Sequence, residues 1–329
     1  MNQKGSLPII VPIILVLIIF SVAAISFAKN SLKPKPKEPP APSQIQPQPT
    51  SSQIGLKFDF PPAKADPLDD KKGPFYHQVF MAASPDGLNF TKGDLLFDQA
   101  SVPDIIRLPN GRLFVYAVDG ARRSKSGFMV ALSDDNGKSW DQGSIQLKSK
   151  SGFGGADPEV VLLRDGSLRL YYIVGPKPKP GVQVKNKVMS AISSDGINFE
   201  EEEGVRFEYT QITDPDVVNI NGKYFMYLSQ DLRLIAVSSD DGLNFKLEKT
   251  IRERGSVSNT VYVDVDFYRQ FYCLNRNIKS AKTSNGLNFQ DEEGFRLESE
   301  SNQLICDPAP VHLGGSWLML YKVAPTMKP

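Results

Sequence analysis

Two short phrases alternate five times along the chain, and few folds are open to a chain that repeats itself in this way. One is a turn phrase closed by an aromatic residue: ASPDGLNF (83–90), SDDNGKSW (133–140), SSDGINF (193–199), SSDDGLNF (238–245) and TSNGLNF (283–289). The other is a strand phrase with an acid beside a proline: SVPDIIRLPNGRLFVY (101–116), ADPEVVLLRDGSLRLYY (156–172), TDPDVVNINGKYFMY (213–227) and CDPAPVHLGGSWLMLY (306–321). A further strand phrase, VSNTVYVDVDFYRQFY (257–272), is degenerate and carries Ser258, Asn259 and Thr260 where the others carry acid and proline. A repeat of roughly 50 residues marks an array whose units cannot bury their apolar faces alone.

Within each unit the hydrophobic period is two and the apolar runs are short. In the third unit VVNI, KYFMYLS, RLIAVSS and NFKLEKT read as four successive strands divided by NG, QD and DG turn signals. No helical period survives after residue 75, so the fold is all-β. Five four-stranded antiparallel units predict a five-bladed β-propeller, whose radial packing protects most strand edges. The folded region opens with a turn phrase and ends after a strand phrase that has no turn of its own. Residues from about 75 to 98 are therefore expected to supply the outer strands of the last blade, whose inner strands lie near 305–323, closing the ring non-covalently. If each acid-proline phrase starts an inner strand at an upper face, the turn phrases lie on the lower one.

The 329 residues, 40% of them hydrophobic, suffice for one large domain. The net charge is +1 and the basic residues are scattered among acids, which gives no sign of a nucleic-acid partner. Ahead of the repeats, residues 1–29 hold an apolar run from Leu7 to Ala28 behind Lys4, long enough to cross a bilayer. It predicts a membrane anchor with the repeats outside the cytoplasm, or a secreted protein if a signal peptidase cuts after Ala28. Residues 30–74 begin as a Pro-, Lys-, Gln- and Ser-rich spacer that cannot bury enough apolar surface to fold, and the propeller is expected over 75–329. Cys273 and Cys306 are the two cysteines, a number compatible with an oxidising compartment. One lies within a second strand and the other just ahead of an inner strand, and they read as small buried hydrophobes rather than a bridge.

The turn phrase resembles the Asp-box of sialidases and related propellers, Ser-x-Asp-x-Gly-x-Thr/Ser-Trp. Ser133 to Trp140 matches it fully, while the other copies are a residue shorter and end in Phe90, Phe199, Phe245 and Phe289. Its chemistry is that of a turn: Asp accepts local N–H groups, Gly permits positive φ, and the aromatic packs between sheets. The acid-proline phrase is the functional candidate. Aligned on proline, the preceding position holds Val102, Asp157, Asp214, Ser258 and Asp307, and the following one Asp104, Glu159, Asp216, Thr260 and Ala309. Residues i and i+2 of a strand share a face, so several carboxylates are expected to gather at the upper mouth of the channel. Crowding raises some of their pKa values, as an acid facing a base requires. Glycosidic cleavage needs two carboxyls about 5 to 5.5 Å apart for retention, or roughly 6.5 to 9.5 Å for inversion. The bland alternative is a strand-opening turn repeated in each blade.

Over about residues 75–329 the pattern resembles the five-bladed glycoside hydrolases, the arabinanase, levansucrase and invertase group with family 43. That resemblance implies an Asp base, an Asp that tunes pKa and a Glu acid from different blades, with Asp104, Asp214 and Glu159 as the matching candidates. Asp157, Asp216 and Asp307 join them as substrate-binding candidates, and Arg122, Arg123 and Arg276 fall on upper-face loops suited to an anionic sugar. Arg-Asp-Pro and Glu-Cys are absent, so the invertase pattern is not met. No cofactor is implied and no metal ligand set is assigned; an acid-rich channel has the oxygen ligands for Ca²⁺, but neither it nor His312 has diagnostic spacing. The expected partner is a glycan or polysaccharide. A non-catalytic carbohydrate- or protein-binding propeller is the alternative.

Overall fold

In the computed structural model the described residues are 62–149, 155–176, 183–265 and 267–326. The apolar run at 7–28 and the spacer to residue 61 lie outside them; among the described residues no helix is long and apolar enough to cross a membrane. The rest is an all-β, five-bladed propeller. From the axis outward, with strands A to D, blade I is Ala100–Arg107, Leu113–Asp119, Phe128–Ser133 and Asp141–Ser144. Blade II is Ala156–Leu162, Leu168–Val174, Lys185–Ser193 and Asn198–Glu201, widened by Gln146–Lys148 and Phe207–Thr210. Blade III is Ile212–Ile220, Lys223–Gln230, Arg233–Ser239 and Lys246–Arg252, and blade IV is Ser256–Asp264, Phe267–Leu274, Asn277–Thr283 and Gln290–Asp291.

Blade V closes the ring as expected. Its A and B strands are Gln303–His312 and Trp317–Pro325, and its C and D strands are the early segments Gln78–Ser84 and Thr91–Asp98. Seven consecutive pairs, from Gln78 with Val323 to Ser84 with Trp317, zip the two ends together. Each inner strand contacts the next, and that of blade V contacts that of blade I.

Packing between blades is written into the turn phrases. Asp86 Oδ1 accepts the N–H groups of Leu88 and Asn89 at 2.8 and 2.9 Å. Asp135, Asp195 and Asp241 repeat this arrangement, and Asn285 does so with its amide oxygen. The turn so fixed presents its glycine carbonyl to the B strand of the preceding blade. Tyr116, Tyr171 and Tyr227 donate to the carbonyls of Gly196, Gly242 and Gly286 at 2.8–2.9 Å. The closing aromatics Phe199, Phe245 and Phe289 meet the same three tyrosines edge to face. Between blades IV and V, Phe271 meets Phe90 in the same way, and between V and I Trp140 packs against the cluster holding Leu318 and Leu320. Each buried hydrogen bond is worth about 1 kcal/mol and each aromatic pair about 0.5–1.5 kcal/mol. The motif thus holds the lower face of the ring together.

The cysteines differ from the sequence reading: Cys273 and Cys306 form a disulfide, with Cα atoms 5.3 Å apart. The B strand of blade IV and the A strand of blade V are neighbours in space, a proximity that two separate strand phrases do not reveal. The bridge closes a loop between residues 33 apart, for which chain entropy predicts about 3–4 kcal/mol. The double variant Cys273→Ser/Cys306→Ser is expected to lose that amount in urea unfolding, with the m-value rising as the unfolded chain expands. An unchanged midpoint would show that the bridge contributes nothing.

Candidate functional site

Every inner strand opens with the same backbone irregularity. Two residues bulge out of register with the B strand in blades I, II, III and V, and Val257 alone in blade IV, and the first or sole bulged residue has a left-handed conformation: Val102 (φ 47°), Asp157 (54°), Asp214 (48°), Val257 (53°) and Asp307 (50°). Aspartate tolerates this conformation because its short carboxylate bonds locally, whereas a β-branched valine is strained there. Proline at the next position of four blades needs no ladder partner. The bulge corrects two sequence inferences. In blade IV the equivalents of Asp214 and Asp216 are Val257 and Asn259, one residue earlier than the proline-based alignment gave. The residues flanking each proline also do not share a face; they form two clusters.

The deeper cluster comprises Asp104, Glu159, Asp216 and Asn259, all less than 9% exposed. Each acid reaches across to the next blade: Asp104 accepts the N–H of Val160 (2.7 Å), Glu159 that of Val217 (2.9 Å) and Asp216 that of Thr260 (2.8 Å). Asp216 also accepts from the hydroxyls of Ser258 and Thr260, both at 2.7 Å, and from the amide of Gln270 at 3.3 Å. The series stops at Asn259, since the corresponding residue of blade V is Pro310, which has no N–H. The Asn259 amide donates instead to Asp104 (2.9 Å) and Glu159 (3.4 Å). Burial pushes Asp104 up to about 7 and Asp216 up to about 6. Glu159 is driven well above the usual carboxylate range by burial, then by the charges of Asp104 and Asp216.

The outer cluster lies at the channel mouth and unites Asp157, Asp214, Asp307, Lys322 and His77. Asp157 and Asp214 are partly exposed, and the Asp214 N–H donates to Asp157 Oδ2 at 3.2 Å. Lys322, from the B strand of blade V, is ion-paired with Asp307. Burial opposes its charge, but Asp307, Asp214 and Asp157 outweigh that and raise its pKa. Burial raises Asp157 well above its ordinary value, with the charge of Asp214 adding to it. Asp214 is raised to about 6 by burial and by Asp307, against a hydrogen bond from Thr213. His77 donates to or accepts from Ser101 Oγ at 2.9 Å, and burial with the nearby Lys322 charge lowers its pKa to about 4.

The predicted site residues are thus divided. Asp104, Glu159 and Asp216 form the deep cluster, Asp157, Asp214 and Asp307 the mouth. Arg122 (φ 53°) and Arg276 (φ 70°) occupy left-handed positions in the B-to-C loops of blades I and IV. Sequence reasoning missed Asn259, Lys322 and His77. Lys322 was legible: the matching B-strand positions hold Val118, Ile173, Ser229 and Cys273, and only the fifth is charged. His77 precedes the repeats and carries no such signal. Among the described residues no group of His, Cys, Asp and Glu is arranged to hold a metal ion.

No protein-family model matches the sequence, and no curated protein matches it. Similarity is found among solved structures. An endo-1,4-β-xylanase from Bacteroides thetaiotaomicron superposes with a TM-score of 0.53 at 15% identity, over 66% of this chain and 82% of that one. A family 43 β-1,3-galactosidase bound to galactodeoxynojirimycin gives 0.50 at 12%, over 72% and 92%. The family 32 β-fructofuranosidase of Bombyx mori gives 0.50 at 12%, over 75% of this chain and 58% of that one. These likenesses establish a glycoside-hydrolase-like propeller fold.

Two outcomes follow from the buried charges. Asp216→Ala leaves the Thr260 N–H and the hydroxyls of Ser258 and Thr260 without their acceptor, and is expected to cost about 3 kcal/mol in urea unfolding. The second concerns pH. Asp104, Asp214 and Asp216 have folded values near 7, 6 and 6 against an ordinary 3.8, so the folded state binds the extra protons. Their stabilising contribution is full below about pH 4 and is lost as pH rises through 6–7. His77 opposes this, since its lowered value removes stability as pH falls from 6.5 towards 4. Three carboxyls outweigh one imidazole, and Tm is expected to be higher at pH 5 than at pH 7.5. A scanning-calorimetry series with the opposite slope would contradict these protonation states.

Proposed function

We propose that the protein is an extracytoplasmic, membrane-anchored propeller that acts on glycans through two carboxyl groups at its channel mouth, Asp157 as general acid and Asp214 as general base. The observation that carries this reading is the partly exposed Asp157 and Asp214 pair, linked by the 3.2 Å contact from the Asp214 N–H. Their environments drive their pKa values apart. Asp157 lies well above the usual range, and Asp214 at about 6 is ionised near neutrality. Paired titratable groups separated in this way supply an acid and a base at one pH. Asp307 is neutralised by Lys322 and is read as holding the pair in place rather than reacting. Asp104 and Glu159, the catalytic candidates suggested by family resemblance, are assigned to holding the ring together, because both are buried and each already accepts a backbone N–H from the next blade.

The similar folds belong to proteins described as a xylanase, a galactosidase and a fructofuranosidase, which supports a glycan as the partner. The disulfide favours an oxidising compartment, in keeping with export through residues 7–28, either retained as an anchor or removed after Ala28. A non-catalytic carbohydrate- or protein-binding propeller is favoured by one observation: the mouth positions of blades I and IV hold Val102 and Val257, so only three blades offer an acid.

Incubation of the full-length protein with a panel of glycosides and polysaccharides, beside a glycan-binding screen, separates the two. Hydrolysis is expected with a bell-shaped pH profile, rising through about 6 as Asp214 ionises and falling when Asp157 loses its proton. Asp157→Asn and Asp214→Asn are each expected to reduce kcat by about 10²–10⁴-fold. Binding without turnover, untouched by either substitution, would sink the catalytic reading and leave the binding one.

A further inference from the structure

The ion pair between Asp307 and Lys322 takes no part in the proposed reaction, and its setting is unlike that of a surface salt bridge. The two side chains are only 2% and 13% exposed. Lys322 shares its strand face with Leu320, which belongs to the apolar cluster of Val79, Phe97 and Ala100. Apart from Lys322, neither carboxyl oxygen of Asp307 has a hydrogen-bond partner among the described residues. Two buried charges thus depend on one contact, and desolvation makes such a pair a poor source of stability.

Burial in contact also arranges a reaction. An amine held against a carboxyl group has already lost the freedom that separate molecules must give up to form an amide, and a lysine amine is a nucleophile once a proton is removed. The balance is internal to the pair. Lys322 enters as an ammonium and Asp307 as a carboxylate; the bond from Nζ to Cγ forms, one Cγ–O bond breaks, and that oxygen leaves as water with two of the three ammonium protons. Nothing is oxidised or reduced, and no other reagent is consumed. Asp214, at about 6 and so ionised at neutral pH, carries the first proton from Nζ to the departing oxygen; its charge already acts on Lys322. The amide has no charge, so the desolvation of both ions is relieved. Because the two charges vanish together, the net charge beside Asp157 and Asp214 is unchanged.

We propose that Lys322 and Asp307 are joined by an intramolecular isopeptide bond, Nζ to Cγ, formed with loss of one water. Its place in the fold is that of a clasp. Lys322 lies on Trp317–Pro325, the strand to which the early segment Gln78–Ser84 is zipped, and Asp307 lies on the inner strand beside it. Cys306, the residue before Asp307, is bonded to Cys273, and Cys273 holds in blade IV the B-strand position that Lys322 holds in blade V. Consecutive residues of one inner strand are thus tied to two successive B strands.

Peptide mapping of the full-length protein by mass spectrometry, after reduction and alkylation of the disulfide, tests the bond. Trypsin is expected to leave Lys322 uncut, so that the peptide beginning at Leu297 reads through it and weighs one water less than its sequence. Pro308 follows Asp307 and has no N–H, so Asp307 cannot lose that water by closing on the next residue. Lys322→Arg keeps a cation beside Asp307 and is expected to restore both the full mass and the cut. A wild-type peptide of full mass, cut after Lys322, overturns the bond whether or not the variant folds, and so does a water loss that persists in Lys322→Arg. Neither readout needs a glycan, so the bond stands or falls separately from hydrolysis at the mouth.

Discussion

The left-handed residue that opens each inner strand determines how the five blades can meet. Placing φ near +50° at that position swings the preceding and following side chains apart, and the bulge leaves its own N–H without a ladder partner. The neighbouring blade must supply what the ladder does not. Asp214 N–H finds Asp157, Val257 N–H finds Ser229 Oγ at 2.8 Å and Asp307 N–H finds Cys273 Sγ at 3.2 Å. The residue beyond the bulge then sends its own side chain to the following blade, as Asp104, Glu159 and Asp216 do. A channel lined with acids is thus first a solution to a backbone problem.

Much of this was legible. The alternation of phrases gave five blades of four strands and the join between the chain's two ends, because spacing and period-two patterning are local properties repeated five times. The aromatic that closes each turn also had a visible partner: Tyr116, Tyr171 and Tyr227 each stand five residues beyond the A-to-B turn glycines 111, 166 and 222. The bulge was not legible. Asp-Pro reads equally well as a regular strand start, and only the sign of φ separates the two clusters. The disulfide and the Lys322 pairing are contacts between blades, where residues distant in sequence meet through the closure of the ring.

The two acid clusters differ in what their charges can do. In the deep one, each carboxyl has a fixed donor and little access to solvent, so raised pKa values there report burial, with repulsion from neighbouring acids added at Asp104 and Glu159. A perturbed pKa is a guide to chemistry only where a substrate can reach the group. That condition moves attention outward, to Asp157 and Asp214, which the same backbone conformation leaves partly exposed.

At the mouth, composition rather than conformation varies from blade to blade. Five equivalent positions share one φ value to within a few degrees, yet two hold valine and three hold aspartate. Valine gains nothing locally from a left-handed backbone, so the fold alone explains neither its presence nor the three acids beside it. Lys322 breaks the remaining symmetry. By pairing with Asp307 it neutralises one member of the trio and leaves Asp157 and Asp214 to compete for a proton, so one cation on a B strand turns three similar acids into one fixed charge and one unequal pair.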